Sequence, residues 1–155
     1  MDLYESLRKE NKDKRADCAV IALSLLTKLS YSDTEALLAK HGRKLNKGTP
    51  IDVLYKALAD LSPCDFWFDS HLYDIEGSSQ YKNEMLRDFR LEYGNMSGVI
   101  GMTISRLAKV RKLQKGKYLV LTRSHALAMI DGEVLDWTKG RRHRVVAIFK
   151  ISDNV

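Results

Sequence analysis

Residues 18–29 read CAVIALSLLTKL, a run that is apolar on nearly every side when wound as a helix. Such a helix has no face to turn to water and belongs at the centre of a domain. Its most apolar part, residues 19–26, is interrupted by Ser24 and is far shorter than the roughly 20 residues that cross a bilayer. The rest of the chain must therefore be built to cover one central helix. Asp17 stands where an N-cap belongs, which puts Cys18 in the first helical turn.

The flanking segments supply the cover. Residues 1–16 are polar, lack the apolar stretch of a secretory signal, and read as a lead-in arm. Tyr31 opens a second segment, a helix over 33–41 capped by Ser32 or Asp33, with Glu35 placed for a capping box with Ser32. Gly42 ends it. After the turn-rich GRKLNKGTP, Thr49 caps a third helix with Pro50 at its first position. Ile51, Leu54, Tyr55, Leu58 and Leu61 recur there at helical spacing. Pro63 stops that helix and CDFWF, residues 64–68, reads as a strand. An acidic, polar region follows to about Gly77, and 83–89 reads as helical within an ambiguous stretch. Gly94, Gly98 and Gly101 mark a loop, after which Thr103 caps a helix over 104–113 that Gly116 ends.

The last quarter changes character. Residues 117–122, 125–130, 133–137 and 144–151 read as strands, and Asp131-Gly132 between the second and third is a strong two-residue hairpin signal. Helices first and an antiparallel sheet last give an α+β fold. With 155 residues and 17.7 kDa the chain suits one domain, residues 1–155, large enough for a hydrophobic core. No repeat or linker divides it.

The net charge of +6 concentrates in residues 8–15, 106–117 and 139–144. Solvated surface is the simpler account. A nucleic-acid surface calls for interleaved aromatics, and only Tyr118 and Trp137 border these clusters. The two cysteines, Cys18 and Cys64, are too few for a disulfide scaffold and are not spaced for zinc.

A cysteine in the first turn of a buried helix is chemically distinctive, because unpaired N–H groups and the helix dipole favour the thiolate. The same amides can face an oxygen on a carbon bonded to that sulfur. His125, at the start of a strand, offers a base. With Asp131-Gly132 as the turn, Ile130 opposes Glu133, Met129 opposes Val134, Ala128 opposes Leu135 and Leu127 opposes Asp136. His125 and Asp136 then lie on one face as diagonal neighbours, about 7–8 Å apart, close enough for a carboxylate to orient an imidazole. A lone cysteine is more often a small buried hydrophobe, and a lone strand histidine or aspartate more often a structural hydrogen-bonding group. The order and context of the three together favour chemistry. Cys64 reads as structural. His41 sits at a helix end, where a cation suits the dipole; His71 lies in an acidic loop without metal-ligand spacing; His143 is embedded in RRHR. No phosphate-cradling or zinc motif appears.

RADCAVIALSLLT, GRKLNKGTP and GKYLVLTRSHALAMIDGEVLDW together resemble the small papain-like proteins of tailed bacteriophages and their bacterial hosts. Those proteins carry an Asp-Cys pair opening a helix, a Gly-Arg-x-x-x-x-Gly-Thr loop, and a Tyr-Leu-Val strand leading to His-Ala-Leu and Asp-Gly. The resemblance covers residues 15–60 and 100–137. It implies a papain-like fold with helices packed on the C-terminal sheet. It also implies a cysteine peptidase or isopeptidase in which Cys18 attacks a carbonyl, His125 moves the proton and Asp136 holds the imidazole. The Gln that usually supplies an oxyanion donor ahead of the nucleophile is missing, and Asn11 is the nearest amide side chain. No metal or organic cofactor is implied. The expected partner is a protein or peptide substrate, with the basic surface favouring an acidic one; nucleic acid is less favoured, and no membrane is implied. The expected location is the cytoplasm, that of the host for a phage protein. Two other readings stand beside this one: an acyltransferase or deamidase with the same triad, and a non-enzymatic phage or host interaction protein binding an acidic protein or nucleic acid through its basic surface.

Overall fold

The computed structural model describes residues 3–61, 64–68, 99 and 101–151. Four helices come first: α1 (Leu3–Glu10), α2 (Cys18–Leu26), α3 (Tyr31–Lys40) and α4 (Ile51–Asp60). Strand β1 (Cys64–Phe68) follows, then the short α5 (Ile104–Leu107), a 3₁₀ turn at Arg111–Leu113, and β2 (Lys117–Thr122), β3 (His125–Ile130), β4 (Glu133–Leu135) and β5 (Ala147–Ile151). The strands form one antiparallel sheet in the order β1-β5-β2-β3-β4. The architecture is α+β, as the sequence pattern requires.

Period-two alternation divides the sheet's side chains between two cores. Leu119, Leu121, Ala126, Ala128, Ala147 and Phe149 face α2, α3 and α4. Tyr118, Val120, Leu127, Met129 and Ile148 face the opposite way, against Ile104, Leu107, Leu113 and Val145. The helix α2 is buried as its sequence demands: Val20 and Leu23 are fully enclosed, with Ile21 and Leu26 nearly so. It packs directly on β3, where Ala19 and Ala22 of the helix share a core with Ala126 and Ala128 of that strand, whose one large residue on this face, Ile130, lies at its far end. Small side chains on both surfaces let the two backbones come close. That close approach brings the first turn of α2 to the first residues of β3.

The expected boundaries shift where local chemistry overrides pattern. Residues 3–10 are helical rather than an irregular arm, because Tyr4 and Leu7, one turn apart, pack on the main core. The helix α3 starts at Tyr31, and its cap is Ser30, which accepts from the Asp33 amide at 3.1 Å; the cap expected at Ser32 or Asp33 lies inside the helix. Pro50 occupies the N-cap of α4, one position earlier than expected, so Thr49 does not cap. The cap at Thr103 is present, accepting from Arg106 N, yet the 104–113 helix breaks after Leu107 and resumes only as the 3₁₀ turn, with extended backbone at Val110 between. Residues 136–141 turn rather than continue β4, and β5 begins at Ala147 because residues 144 and 145 pair instead with the 102–103 segment. The β1 strand forms as expected, whereas the readings for 69–98 lie outside the described residues. Among the described residues no helix is long and apolar enough to cross a membrane.

Candidate active site

Cys18 is the first residue of α2, and Asp17 holds the N-cap position without making a side-chain cap bond. The expected cap is replaced by a different engagement. Arg8 clasps the Asp17 carboxylate with both guanidinium nitrogens, at 2.5 and 3.0 Å, and Tyr31 donates its hydroxyl at 2.6 Å. Asp17 is only 3% exposed, so pairing there is obligatory. Burial resists its ionisation, but Arg8 and Tyr31 hold the carboxyl below the usual range. With the carboxylate turned away, the first-turn amides of α2 carry no side-chain cap.

The turn before the helix is fixed from the other side. Ala16 sits at φ +50°, and its carbonyl accepts from the buried Arg43, which also reaches the Arg15 carbonyl and pairs with Glu35. Asn46 accepts from the Arg15 amide at 3.0 Å. The 42–50 loop is thereby stitched to the entry of α2, and its end, Gly48 and Thr49, comes to line a cavity beside Cys18.

His125 opens β3, opposite Thr122 in the register with β2. The hairpin pairs Ile130 with Glu133, Met129 with Val134 and Ala128 with Leu135, the register expected from Asp131-Gly132, and Asp136 follows directly. Asp136 Oδ2 lies 2.8 Å from His125 Nε2 and also accepts from the Thr138 amide at 3.0 Å and the Thr138 hydroxyl at 2.6 Å. Asp136 is 8% exposed and Thr138 fully buried, so the carboxylate is locked by its own turn. With Nε2 taken by Asp136, the other ring nitrogen, Nδ1, is left for the Cys18 thiol, whose pKa the neighbouring imidazole lowers. The Trp137 ring tilts against the imidazole with centroids 5.2 Å apart, and His143 meets the same indole edge-on at 5.3 Å.

The electrostatics follow from these contacts. Burial opposes a Cys18 thiolate, yet the bond to His125, the Ala126 amide, the charge of His125 and the Ala19 amide together hold the thiol below its ordinary value. Burial likewise opposes a charged His125, and Asp136 and Cys18 overcome it, raising the imidazole to about 9. Tyr4, on α1, is pushed up to about 12 by burial and by the negative charge of Asp136, with smaller contributions from Asp17 and Cys18. A thiol, an imidazole and a carboxylate in series can hold a thiolate–imidazolium pair, with the carboxylate fixing the ring.

Cys18, His125 and Asp136 are therefore brought together. No family model matches the chain, nor does any curated protein or solved structure. The site stands on its own geometry.

The structure does not bring Asn11 into the site. Its side-chain amide donates to the Leu7 carbonyl, one turn back in α1, at 3.0 Å, and it is not part of the cavity lining. His41 pairs with Asp60 at 2.6 Å, while His71 and the Cys64 side chain lie outside the described residues. Among the described residues no group of three or more His, Cys, Asp or Glu is placed to hold a metal ion. Sequence reasoning missed Arg8, Tyr31, Arg43 and Thr138. The signal for Thr138 was present: an aspartate two residues before a threonine invites a side-chain bond to the later amide. Arg8 and Tyr31 reach Asp17 only through tertiary packing.

Proposed function

We propose that the chain is a papain-like thiol hydrolase that cleaves an amide or isopeptide bond through a thioester on Cys18. The observation that carries this reading is the series Cys18, His125 and Asp136, in which Asp136 holds His125 and His125 lowers the Cys18 thiol, with the cysteine on an uncapped helix start and an open cavity beside it. The Cys18 thiolate attacks the carbonyl carbon, and the carbonyl π electrons move onto oxygen. First-turn amides of α2 are the nearest donors for that oxyanion, since Asn11 is engaged elsewhere. His125 then passes its proton to the leaving nitrogen as the C–N bond breaks, leaving the acyl group on sulfur. Water, deprotonated by the now neutral His125, attacks the thioester and expels the Cys18 thiolate. An amine in place of that water makes the same site an acyltransferase, and a glutamine side chain in place of the peptide bond makes it a deamidase. A bacterial or phage-infected cytoplasm, where thiols stay reduced, suits a free nucleophilic cysteine.

The test is an activated acyl donor, N-acetylglycine p-nitrophenyl ester, followed by absorbance and by mass spectrometry of the intact protein. The expected result is a nitrophenolate burst with an acetylglycyl group on Cys18, absent in Cys18→Ala and strongly reduced in His125→Ala. An ester hydrolysed equally by wild type and Cys18→Ala would sink the reading.

A second reading has its own observation. Trp137 is 51% exposed and lies beside His143, within a surface that also carries exposed Lys139, Arg141, Arg142 and Arg144. A stacking ring among cations is the surface of an interaction protein for an acidic protein or a nucleic acid. It predicts salt-sensitive binding that persists in Cys18→Ala.

A further inference from the structure

The cavity beside Cys18 has a volume of about 380 Å³ and lies between the 42–50 loop, the start of α4 and the β2–β3 turn. Its wall is hydrocarbon: Ala19, Ile51, Leu54, Leu121, Ala126 and Val146. No carboxylate lines it; Arg123 is an exposed residue of the turn, and Cys18 and His125 contribute opposite charges that pair with each other. A charged side chain entering this space would leave water without gaining an unpaired, enclosed counter-charge, so the wall selects against both signs. The size is at the lower end of the range for small-ligand pockets, about 300–1,000 Å³, enough for one large side chain and its backbone.

Two residues of the 42–50 loop give the cavity further character. The Thr49 hydroxyl oxygen is buried and makes no hydrogen bond to the described residues, although Thr49 lines the cavity. Buried hydroxyls are ordinarily paired, so a partner supplied by a ligand accounts for one kept here. Gly48 lines the same cavity, and a Cβ built on it meets nothing within 4 Å. The absence of a side chain there leaves the mouth open without any demand of the backbone for glycine.

We propose that this cavity is the acyl-side specificity pocket of the Cys18 site, taking an uncharged, bulky apolar side chain of an extended peptide while the Thr49 hydroxyl bonds that peptide's backbone. The inference rests on the thiol-hydrolase reading. Because Cys18 is itself part of the lining, the acyl group bonded to its sulfur is the portion of substrate held against the hydrocarbon wall. Selectivity at the bond would then be apolar, with the basic surface acting only on more distant parts of the substrate.

The test compares alkylation of Cys18 by acetyl-dipeptidyl chloromethyl ketones with that by iodoacetamide, read by mass spectrometry of the Cys18 peptide. In both, the thiolate displaces halide, but only the peptidyl probe needs the pocket. The expected second-order rate for acetyl-Leu-Leu, relative to iodoacetamide, exceeds those of the Gly-Gly, Asp-Asp and Lys-Lys probes by about tenfold or more, from burying one or two leucine side chains. Gly48→Trp, which fills the open mouth, is expected to abolish that preference. Thr49→Val removes an unpaired hydroxyl without changing shape; it is expected to lower the Leu-Leu rate several-fold, about the worth of one hydrogen bond, with no fall in melting temperature. Equal rates for all four probes, or a preference for Asp-Asp or Lys-Lys, at a Cys18 that iodoacetamide modifies below pH 7 would overturn the pocket and leave the nucleophile standing. A Cys18 that reacts with iodoacetamide like an ordinary thiol would overturn both.

Discussion

Replacing Asp136 by Asn separates charge from geometry at the centre of the site. The Oδ2 atom accepts three hydrogen bonds, from His125 Nε2, the Thr138 amide and the Thr138 hydroxyl, and an asparagine carbonyl placed there can accept the same three. What is lost is the negative charge facing the imidazole. His125 is raised to about 9, and its distance from the ordinary value near 6.5 corresponds to about 3 kcal/mol of preference for the charged ring. Both side chains are well enclosed, 13% and 4% exposed, so solvent screens the pair only weakly. Asp136 is the leading favourable cause of the rise, first through its hydrogen bond and, behind Cys18, through its charge; the asparagine keeps a bond and loses the charge, so less than half of that preference should go, about 1 kcal/mol. The expected outcome is a His125 pKa lowered by roughly 0.7 pH units by the same conversion, in a protein that still folds. The assay is an NMR titration of the imidazole nitrogens, with His125 assigned through His125→Ala. A His125 pKa unchanged in Asp136→Asn would refute the view that this carboxylate stabilises the imidazolium.

Thr138→Val deletes one of the two Thr138 bonds to a buried carboxylate at nearly constant volume. A loss of about 1–3 kcal/mol is expected in urea unfolding with the m-value unchanged, and a loss below 0.5 kcal/mol, roughly the spread of neutral surface substitutions, would contradict the proposed lock. The pH dependence of stability follows from two opposed groups. His125, raised to about 9, stabilises fully below its ordinary value near 6.5, and that contribution is lost as pH rises through about 9. Cys18, lowered, stabilises above the ordinary thiol value near 8.5, and that contribution is lost as pH falls through its lowered value. The two slopes oppose each other in between, so the net decline should appear on the alkaline side, approaching and passing pH 9. Urea midpoints across pH 6–10 should show that alkaline decline in wild type and lack it in His125→Ala.

The sequence made some of this legible for definite reasons. An all-round apolar run admits only a buried helix, and Asp-Gly between two alternating stretches sets a hairpin register, so Cys18, His125 and Asp136 could be placed together before any coordinates. The pattern worked because α2 and the hairpin answer to local rules. Asp17 looked like a cap by the same rules, yet Arg8 and Tyr31 compete for its carboxylate and win, since a buried charge is better matched by a guanidinium and a phenol than by amides alone. The residues 3–10 were read as polar because only Tyr4 and Leu7 face inward, too few to stand out among charges. Asn11 was singled out by chain position, and α1 turns its amide back onto its own helix. Thr49 is a good capping type, but Pro50 takes that place, which leaves the Thr49 hydroxyl without a cap bond.

The central claim is that Cys18 and His125 form a thiolate–imidazolium pair. The most direct measurement is the iodoacetamide alkylation rate of Cys18 against pH, by mass spectrometry, in wild type and His125→Ala. The pair predicts a wild-type Cys18 that reacts well below the ordinary thiol value near 8.5. It also predicts that His125→Ala moves the reactivity to a pH above that value, because burial remains when its partner is gone. A Cys18 that titrates near 8.5 in both proteins would contradict the account.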